Sequence, residues 1–262
     1  MARALVTGGG SGIGRATVHE LARRGHEIVA LDLDAASLAD LPAVGRVVAD
    51  ITDEATVARA IAELGPVEIL VNNAGVSLWG PVEDTPLLEQ RRLFDILYFG
   101  PLHLIKAVLP QMRERRSGAI VNVTSVAARA PHPMTAGYSA AKAALDILTE
   151  GLAYEVAHFG IRVLSVAPGR VRTNIGATRR RFGSHAYAEL VAQVDSGAAA
   201  QTAGVGNAPE VVARVIADAL ADGSARVRYP GTPDAAEWWL VRAARDDEGY
   251  RRYVWDSYRL EW

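Results

Sequence analysis

Three side chains near the middle of the chain could together move a proton. The stretch "TSVAARAPHPMTAGYSAAK" carries Ser125, Tyr138 and Lys142. Tyr138 and Lys142 are four residues apart, a spacing that puts both on one face of a helix. A phenol with a pKa of about 10 is a poor base near neutrality. A cation about 4 Å away, at an effective dielectric of about 20, is worth roughly 4 kcal/mol, or about three pKa units. On that arithmetic Lys142 brings Tyr138 close to working pH, where it can take or give a proton. A lone Y-x-x-x-K pair equally describes a solvated helix face, so its meaning depends on its company.

The company begins at the N-terminus. "TGGGSGIG", from Thr7 to Gly14, follows the apolar run "RALVT" and opens a helical pattern. Glycines there let backbone approach a pyrophosphate, while the helix start supplies amide donors and positive potential. The spacing is not the common G-x-G-x-x-G, and a plain tight turn is the alternative. Asp32 ends the next apolar run, at the place where a carboxylate accepts hydrogen bonds from an adenosine ribose. A carboxylate there repels the additional phosphate of NADP, and the glycine loop holds no Arg or Lys, so NAD is favoured over NADP. The other reading is that Asp32 or Asp34 caps the short helix that follows.

These residues need a frame. Short apolar runs alternate with helical segments: "RALVT", "EIVALD", "RVVAD", "VEILVNNAG", "GAIVNVTS", "IRVLSVAPG" and "ARVRYP" are separated by segments that include 12–24, 53–64, 87–114, 137–159 and 209–222. Strands that are apolar nearly throughout, with helices between them, predict a parallel sheet covered on both faces. Right-handed crossovers then bring every strand's C-terminal end to one edge, where ligands bind. The chain has 262 residues, half of them hydrophobic, which suits a single α/β domain spanning 1–262. Lys plus Arg (28) nearly balance Asp plus Glu (30), which argues against a nucleic-acid partner. There is no cysteine, which removes disulfides, thiol nucleophiles and Cys-bound zinc. The histidines lack ligand spacing, and no metal is expected. The start "MARALVTGGG" carries no signal pattern. The longest apolar stretch, 93–110, is interrupted by Asp95, Gly100-Pro101, His103 and Lys106, so no membrane span and a cytoplasmic setting are expected.

Taken together, Thr7-Gly8-x-x-x-Gly12-x-Gly14, Asn72-Asn73-Ala74-Gly75, Ser125 with Tyr138-x-x-x-Lys142, and Pro168-Gly169 with Thr173 resemble the short-chain dehydrogenase/reductase family in its shorter, non-extended branch. The resemblance covers about residues 3–229. It implies a seven-stranded Rossmann sheet, parallel and doubly wound, and hydride transfer between a nicotinamide and a secondary alcohol or ketone. Carried over, Tyr138 is the acid/base, Ser125 holds the substrate oxygen, and Lys142 binds the nicotinamide ribose and lowers the tyrosine pKa. Gly8, Ser11, Gly12, Ile13 and Gly14 line the phosphates. Asp32 with Leu33 meets the ribose, and Asp50 with Ile51 the adenine. Asn73, Ala74 and Gly75 flank the cofactor, and Pro168, Gly169, Val171 and Thr173 seat the nicotinamide. Asn72-Asn73 can instead pin neighbouring strands. The family commonly forms dimers or tetramers through its fourth and fifth helices, so a homodimer or homotetramer is expected.

The chain departs from the family in one place. An asparagine usually stands three residues before a glycine of the long fourth helix; counting back from Gly100, this chain has Leu97. The main-chain carbonyl of that asparagine holds a water that links the catalytic lysine to solvent. Residue 101, whose N–H would bond the Leu97 carbonyl in a helix, is proline and has none. Pro101 can therefore free that carbonyl for the water, or Gly100-Pro101 can simply kink the helix for packing. Leu97 also keeps open a nicotinamide-binding redox sensor without turnover. An epimerase or dehydratase of the same fold is a further alternative, although such relatives are generally longer.

Substrate selection falls to regions without motifs. Small and polar residues over 174–208 suggest a mobile substrate lid, and Leu78, Trp79, Arg129 and His132 are candidate pocket walls. Arg179-Arg180-Arg181 can clamp an anion or lie solvated. The tail, about 231–262, holds Trp238, Trp239, Trp255 and Trp262 of the five in the chain. It reads as contacting a neighbouring subunit or closing an active site, with folding onto its own subunit as the alternative.

Overall fold

Seven aliphatic runs form one parallel sheet, in the order β3-β2-β1-β4-β6-β7-β9. They are β1 (Arg3–Thr7), β2 (Glu27–Asp32), β3 (Gly45–Val48), β4 (Ile69–Asn72), β6 (Gly118–Val123), β7 (Ile161–Ala167) and β9 (Arg228–Pro230). A second, two-stranded parallel sheet joins β5 (Leu78–Trp79) to β8 (Arg180–Arg181). The computed structural model describes residues 1–176, 179–202 and 206–260. Strand order reverses between β1 and β4, the crevice where doubly wound sheets bind ligands. Both strands end there on chemistry-bearing turns, Thr7 into the glycines and Asn72 into Asn73.

Helices cover both faces. On one, α1 (Gly12–Arg23) and α8 (Pro209–Ala221) bury Val18, Leu21, Val212 and Ile216 against Val6, Ala30, Val71 and Val121. On the other, α3 (Glu54–Leu64), α5 (Gly100–Arg115) and α6 (Ala136–Val156) bury Val57, Ile61, Leu104, Val108 and Leu152 against Leu5, Leu31, Leu70 and Ile120. Consecutive strand residues thus enter opposite cores, the period-two rule acting on a sheet that is apolar on both sides. Local signals fix the helix starts. Asp53 caps α3 by accepting from Thr56 N at 3.1 Å, and Asp34 caps α2 (Ala35–Leu38) by accepting from Ala36 N at 2.9 Å.

The Gly100-Pro101 pair has a structural explanation. A π-turn, Asp95–Phe99, separates α4 (Leu87–Phe94) from α5, and Gly100 N donates back to the Asp95 carbonyl. Pro101 therefore stands in the first turn of a new helix, where its missing N–H costs little. A Cβ at Gly100 would lie 2.6 Å from Ile51 Cδ1, so the glycine is set by packing. By length and composition alone Leu87–Arg115, which contains the interrupted stretch 93–110, could cross a membrane. In the fold it is a core element, with Leu93, Leu97, Leu104, Ile105, Val108 and Met112 almost wholly buried.

Two other segments carry regular structure. Within 174–208, β8 docks on β5 and α7 (Ala188–Thr202) forms a regular helix; residues 177–178 and 203–205 lie outside the described residues. The tail forms α9 (Pro233–Ala243) and α10 (Asp247–Tyr258) and folds onto its own subunit. Trp238, Tyr250, Val254 and Tyr258 pack there with Trp79, Val126, Ala130, Met134 and Val194 of α7. Trp79 is consequently buried rather than exposed at a loop edge, with the Arg181 guanidinium 3.8 Å from its ring centroid. Trp262 lies outside the described residues.

Candidate active site

The glycine turn is built by exclusion of side chains. Gly8 and Gly12 have φ of +62° and +50°, conformations that L side chains rarely adopt. A Cβ on Gly14 would fall 1.9 Å from the Gly8 carbonyl, and one on Gly8 would fall 2.8 Å from Ala74 Cα. The turn is thus wedged between the start of α1 and the end of β4. Ser11, the N-cap of α1, makes no side-chain cap bond, and the first turn of the helix holds no acidic residue. An anion fits such a helix start. Beside it runs an open cleft of about 570 Å³, lined by Gly12, Arg15, Arg172, Thr173, Asn174 and Arg214 among others.

Asp32 faces this turn. Its Oδ2 accepts the Gly10 N–H at 2.9 Å, and its Oδ1 accepts the Leu33 N–H at 2.8 Å. Capping of α2 falls to Asp34, which decides between the two carboxylates left open by the sequence. Leu33, 68% exposed, presents an apolar surface beside Asp32. Asp50 is exposed, and its carboxylate takes the Thr52 N–H and hydroxyl. Ile51 buries its side chain against Gly100, and its carbonyl meets the His103 ring at 3.0 Å. Its side chain is part of the core.

Both asparagines have structural partners. Asn72 Nδ2 donates to Asn122 Oδ1 at 2.9 Å across the β4–β6 register pair, and Asn122 Nδ2 donates to Thr149 Oγ1 at 2.9 Å. Asn73 Nδ2 donates to the Thr7 and Gly8 carbonyls, while Thr7 Oγ1 accepts from Asn73 N and Ala74 N. This pinning holds Ala74 and Gly75 at the crevice.

Tyr138 and Lys142 project from α6, and Ser125 caps the 3₁₀ turn Val126–Ala128 after β6. Ser125 Oγ accepts the Ala127 N–H at 3.1 Å, and its influence on the Tyr138 hydroxyl favours the phenolate. Lys142 Nζ donates to the Val123 carbonyl at 2.8 Å and is only 3.9 Å from where a Gly75 Cβ would stand. Burial drives the Lys142 pKa down to about 8. The Tyr138 pKa moves opposite to expectation: burial raises it, outweighing the Ser125 hydrogen bond and the Arg179 charge, which both lower it. Lys142 is not among the groups acting on it, its ammonium being turned to the Val123 carbonyl. Leu97 Cδ2 comes within 3.1 Å of the same Gly75 Cβ position, and the side chain packs with Leu78, Leu93, Ala141 and Tyr138. Leu97 therefore fills an apolar wall beside the site.

The Pro168–Thr173 segment closes the crevice. Val126 N donates to the Pro168 carbonyl, Val171 bridges Asn207, and Thr173 Cγ2 is 3.1 Å from the Gly12 Cβ position. Two anchors escaped sequence reasoning. Thr232 Oγ1 accepts the Gly169 N–H at 2.9 Å, and Asp234 Oδ2 accepts the Arg170 N–H at 2.8 Å. "TPD" is a helix-start signal, and Thr232 is the α9 N-cap, but its hydroxyl serves the neighbouring loop instead of its own helix. His132 is enclosed edge-on by Trp238 at 4.5 Å, with its pKa pushed down to about 4 by burial. Arg129 sits outside, 3.6 Å from Asp146 and over the Trp239 ring. Among the described residues no cluster of His, Cys, Asp and Glu could hold a metal ion.

A doubly wound parallel sheet, a glycine turn at its switch point and a Ser/Tyr/Lys group on the adjoining strand and helix define a nicotinamide-dinucleotide oxidoreductase class. A family model described as "short chain dehydrogenase" matches residues 2–182, and the chain belongs to that family. It is 38% identical over 179 residues to "Carbonyl reductase [NADPH] 2" of Sus scrofa, covering 66% of this chain and 73% of that protein. A short-chain dehydrogenase from Streptomyces avermitilis is 34% identical, with a TM-score of 0.84 over 97% of this chain and 96% of that one. A 3-ketoacyl-(acyl-carrier-protein) reductase from Brucella melitensis complexed with NADH is 27% identical, with a TM-score of 0.72 over 87% and 95%.

Proposed function

We propose that this protein is an NAD-dependent oxidoreductase that interconverts a secondary alcohol and a ketone, with Tyr138 as the acid/base. The observation that carries the reading is the convergence of Ser125, at the end of β6, with Tyr138 and buried Lys142, both on α6, at the sheet edge that also holds the glycine turn. The uncapped start of α1 and the turn around Gly8, Gly12 and Gly14 suit the pyrophosphate of the cofactor. Asp32 suits an unphosphorylated ribose, and its charge disfavours NADP. Leu33, Asp50, Ala74, Val171 and Thr173 complete the proposed set of cofactor contacts. When bound, the nicotinamide supplies the hydride acceptor in one direction and the donor in the other.

This chain's residues manage the proton. Ser125 donates a hydrogen bond to the substrate oxygen. Tyr138 gives its hydroxyl proton to that oxygen during ketone reduction, and its phenolate takes the proton back during alcohol oxidation. Because burial raises its pKa, Tyr138 in this structure is a proton donor at neutral pH, and the oxidative direction calls for alkaline conditions. In this reading β8, α7, α9 and α10 roof the substrate side. Leu87, Leu88, Phe99, Ile147 and Tyr154 are large and exposed along α4, the π-turn and α6. They support a homodimer or homotetramer through those helices, and the reading includes a cytoplasmic setting.

The test is NADH formation from NAD across secondary and cyclic alcohols at mildly alkaline pH, with Tyr138→Phe alongside. Turnover that vanishes in the variant supports the reading. NADH binding with no turnover of any alcohol or ketone moves it to a nicotinamide sensor.

A further inference from the structure

The three consecutive arginines of β8 and its approach have different fates. Arg180 is paired with Glu89, and Arg181 with Asp195 at 2.6 Å and the Trp79 ring. Arg179 is half-buried, and among the described residues no carboxylate pairs with it. Its Nε donates to Ser77 Oγ at 3.1 Å, which leaves the planar fork of its two terminal nitrogens without a partner there. Ser77 lies two residues beyond Gly75, the residue that abuts Lys142. Its neighbours Val76 and Leu78 pack in one apolar cluster with Tyr138 and Leu97. Arg179 acts electrostatically on two hydroxyls, that of Tyr138 on the catalytic side and that of Tyr258 on α10. It is therefore within electrostatic range of both the reacting position and the tail helix α10. A guanidinium whose fork meets no carboxylate among the described residues can take one from a ligand, and the fork matches a carboxylate in a bidentate manner.

We propose that Arg179 binds a carboxylate of the substrate, so that the alcohol and ketone interconverted at Tyr138 are a hydroxy acid and its keto acid. This rests on the function proposed above. Ser77 positions the guanidinium through Nε and leaves the fork aimed at the ligand. Tyr258, buried in the tail cluster, is the other hydroxyl within reach of the Arg179 charge. Reaction balance is unchanged: the carboxylate is recognised and not transformed, the hydride goes to NAD and the hydroxyl proton to Tyr138.

The experiment compares short-chain 2-, 3- and 4-hydroxy acids, each with its own primary amide, in wild type, Arg179→Gln, Arg179→Lys and Tyr138→Phe. Wild type should favour an acid over its amide by about tenfold or more in kcat/KM, the scale of a charge-assisted hydrogen bond. Arg179→Gln should bring that ratio near unity, the acid losing far more kcat/KM than its amide, while loss of the charge beside Tyr138 shifts the pH profile of both alike. Arg179→Lys should restore part of it. A wild type that uses amides as well as acids, or an acid preference that survives in Arg179→Gln, overturns the proposal. Tyr138-dependent turnover of neutral alcohols with none of any acid overturns it alone and leaves the oxidoreductase reading standing. No Tyr138-dependent turnover of any compound removes both.

Discussion

Replacing Asn122 tests the frame beneath the site. Asn122 is wholly buried, accepts from Asn72 Nδ2 at 2.9 Å and donates to Thr149 Oγ1 at 2.9 Å. Asn72 Oδ1 already has no partner. Asn122→Leu strands Asn72 Nδ2 as well, so a whole carboxamide is left unsatisfied in the core. Thr149 loses less, because its hydroxyl still donates to the Leu145 carbonyl at 2.6 Å. Two lost bonds at about 1 kcal/mol each, with an unmet buried donor at about 1–3 kcal/mol, sum to roughly 3–5 kcal/mol. That is a large share of the roughly 5–15 kcal/mol by which a protein is folded. At about 2–4 °C per kcal/mol, Tm should fall by roughly 6–20 °C. Urea unfolding followed by tryptophan fluorescence and by far-ultraviolet circular dichroism measures the loss and checks that the two transitions coincide. Replacing both partners removes the stranded group, so Asn72→Leu/Asn122→Leu should be more stable than Asn122→Leu alone. A single-variant loss below about 1 kcal/mol, or a double variant as unstable as the sum of the singles, would refute the reasoning.

Other perturbations separate charge, backbone and cofactor effects. Lys142 has a folded-state pKa of about 8 against 10.5 for an unhindered lysine, so its charged form is disfavoured by folding. Below about pH 8 both states hold the proton and the fold carries the full penalty, roughly 3 kcal/mol; between pH 8 and 10.5 the folded state releases it first and the penalty fades. Wild-type stability relative to Lys142→Met should therefore rise with pH across that window, and a pH-independent difference in urea unfolding would count against it. Gly14→Ala places a methyl 1.9 Å from the Gly8 carbonyl; calorimetric binding of NAD should be lost, and retention of wild-type affinity would contradict the turn geometry. Asp32→Ser removes the carboxylate that faces the glycine turn. It should raise the NADP-to-NAD ratio of kcat/KM by about tenfold or more, a scale set by one charged contact, and an unchanged ratio would move NAD selection elsewhere. Pro101→Ala supplies an N–H toward the Leu97 carbonyl; if that carbonyl serves proton exchange at Lys142, kcat falls while the circular-dichroism spectrum is kept, and equal kcat leaves Pro101 a packing residue.

The parts of this molecule that were legible in its sequence are those dictated by local sterics. Aliphatic runs such as "EIVALD" can only be strands buried on both faces, and Gly8, Gly12 and Gly14 admit no side chain. The Asn72–Asn122 pair was half legible, because an asparagine next to the glycine motif needs a partner but its partner lies fifty residues away. The Tyr138 pKa was misjudged because spacing places Lys142 on the right helix face but does not say which atom its ammonium meets, and that atom is the Val123 carbonyl. Gly100-Pro101 announced an irregularity, but the π-turn that makes it inexpensive has no residue code. Nor do three identical letters reveal different tasks: Arg180 and Arg181 differ from Arg179 through Glu89 and Asp195, residues 91 and 14 positions from their partners. The tail's aromatic content signalled burial without naming the surface, which proved to be Trp79, Met134 and α7 of the same chain.

That docking has an evolutionary reading. The family match stops at residue 182, whereas α7, α9 and α10, which pack over Trp79, Val126 and Met134, lie beyond it. On the function proposed above, redox machinery and substrate choice are consequently inherited on separate stretches of one gene. Mutation can rewrite the second stretch while leaving the first intact, so ancestry predicts the reaction type far better than the molecule transformed. Grafting α9 and α10 of a relative onto residues 1–232, with the facing side chains of α7 and the His132 loop carried along, is then a direct way to redirect this catalyst.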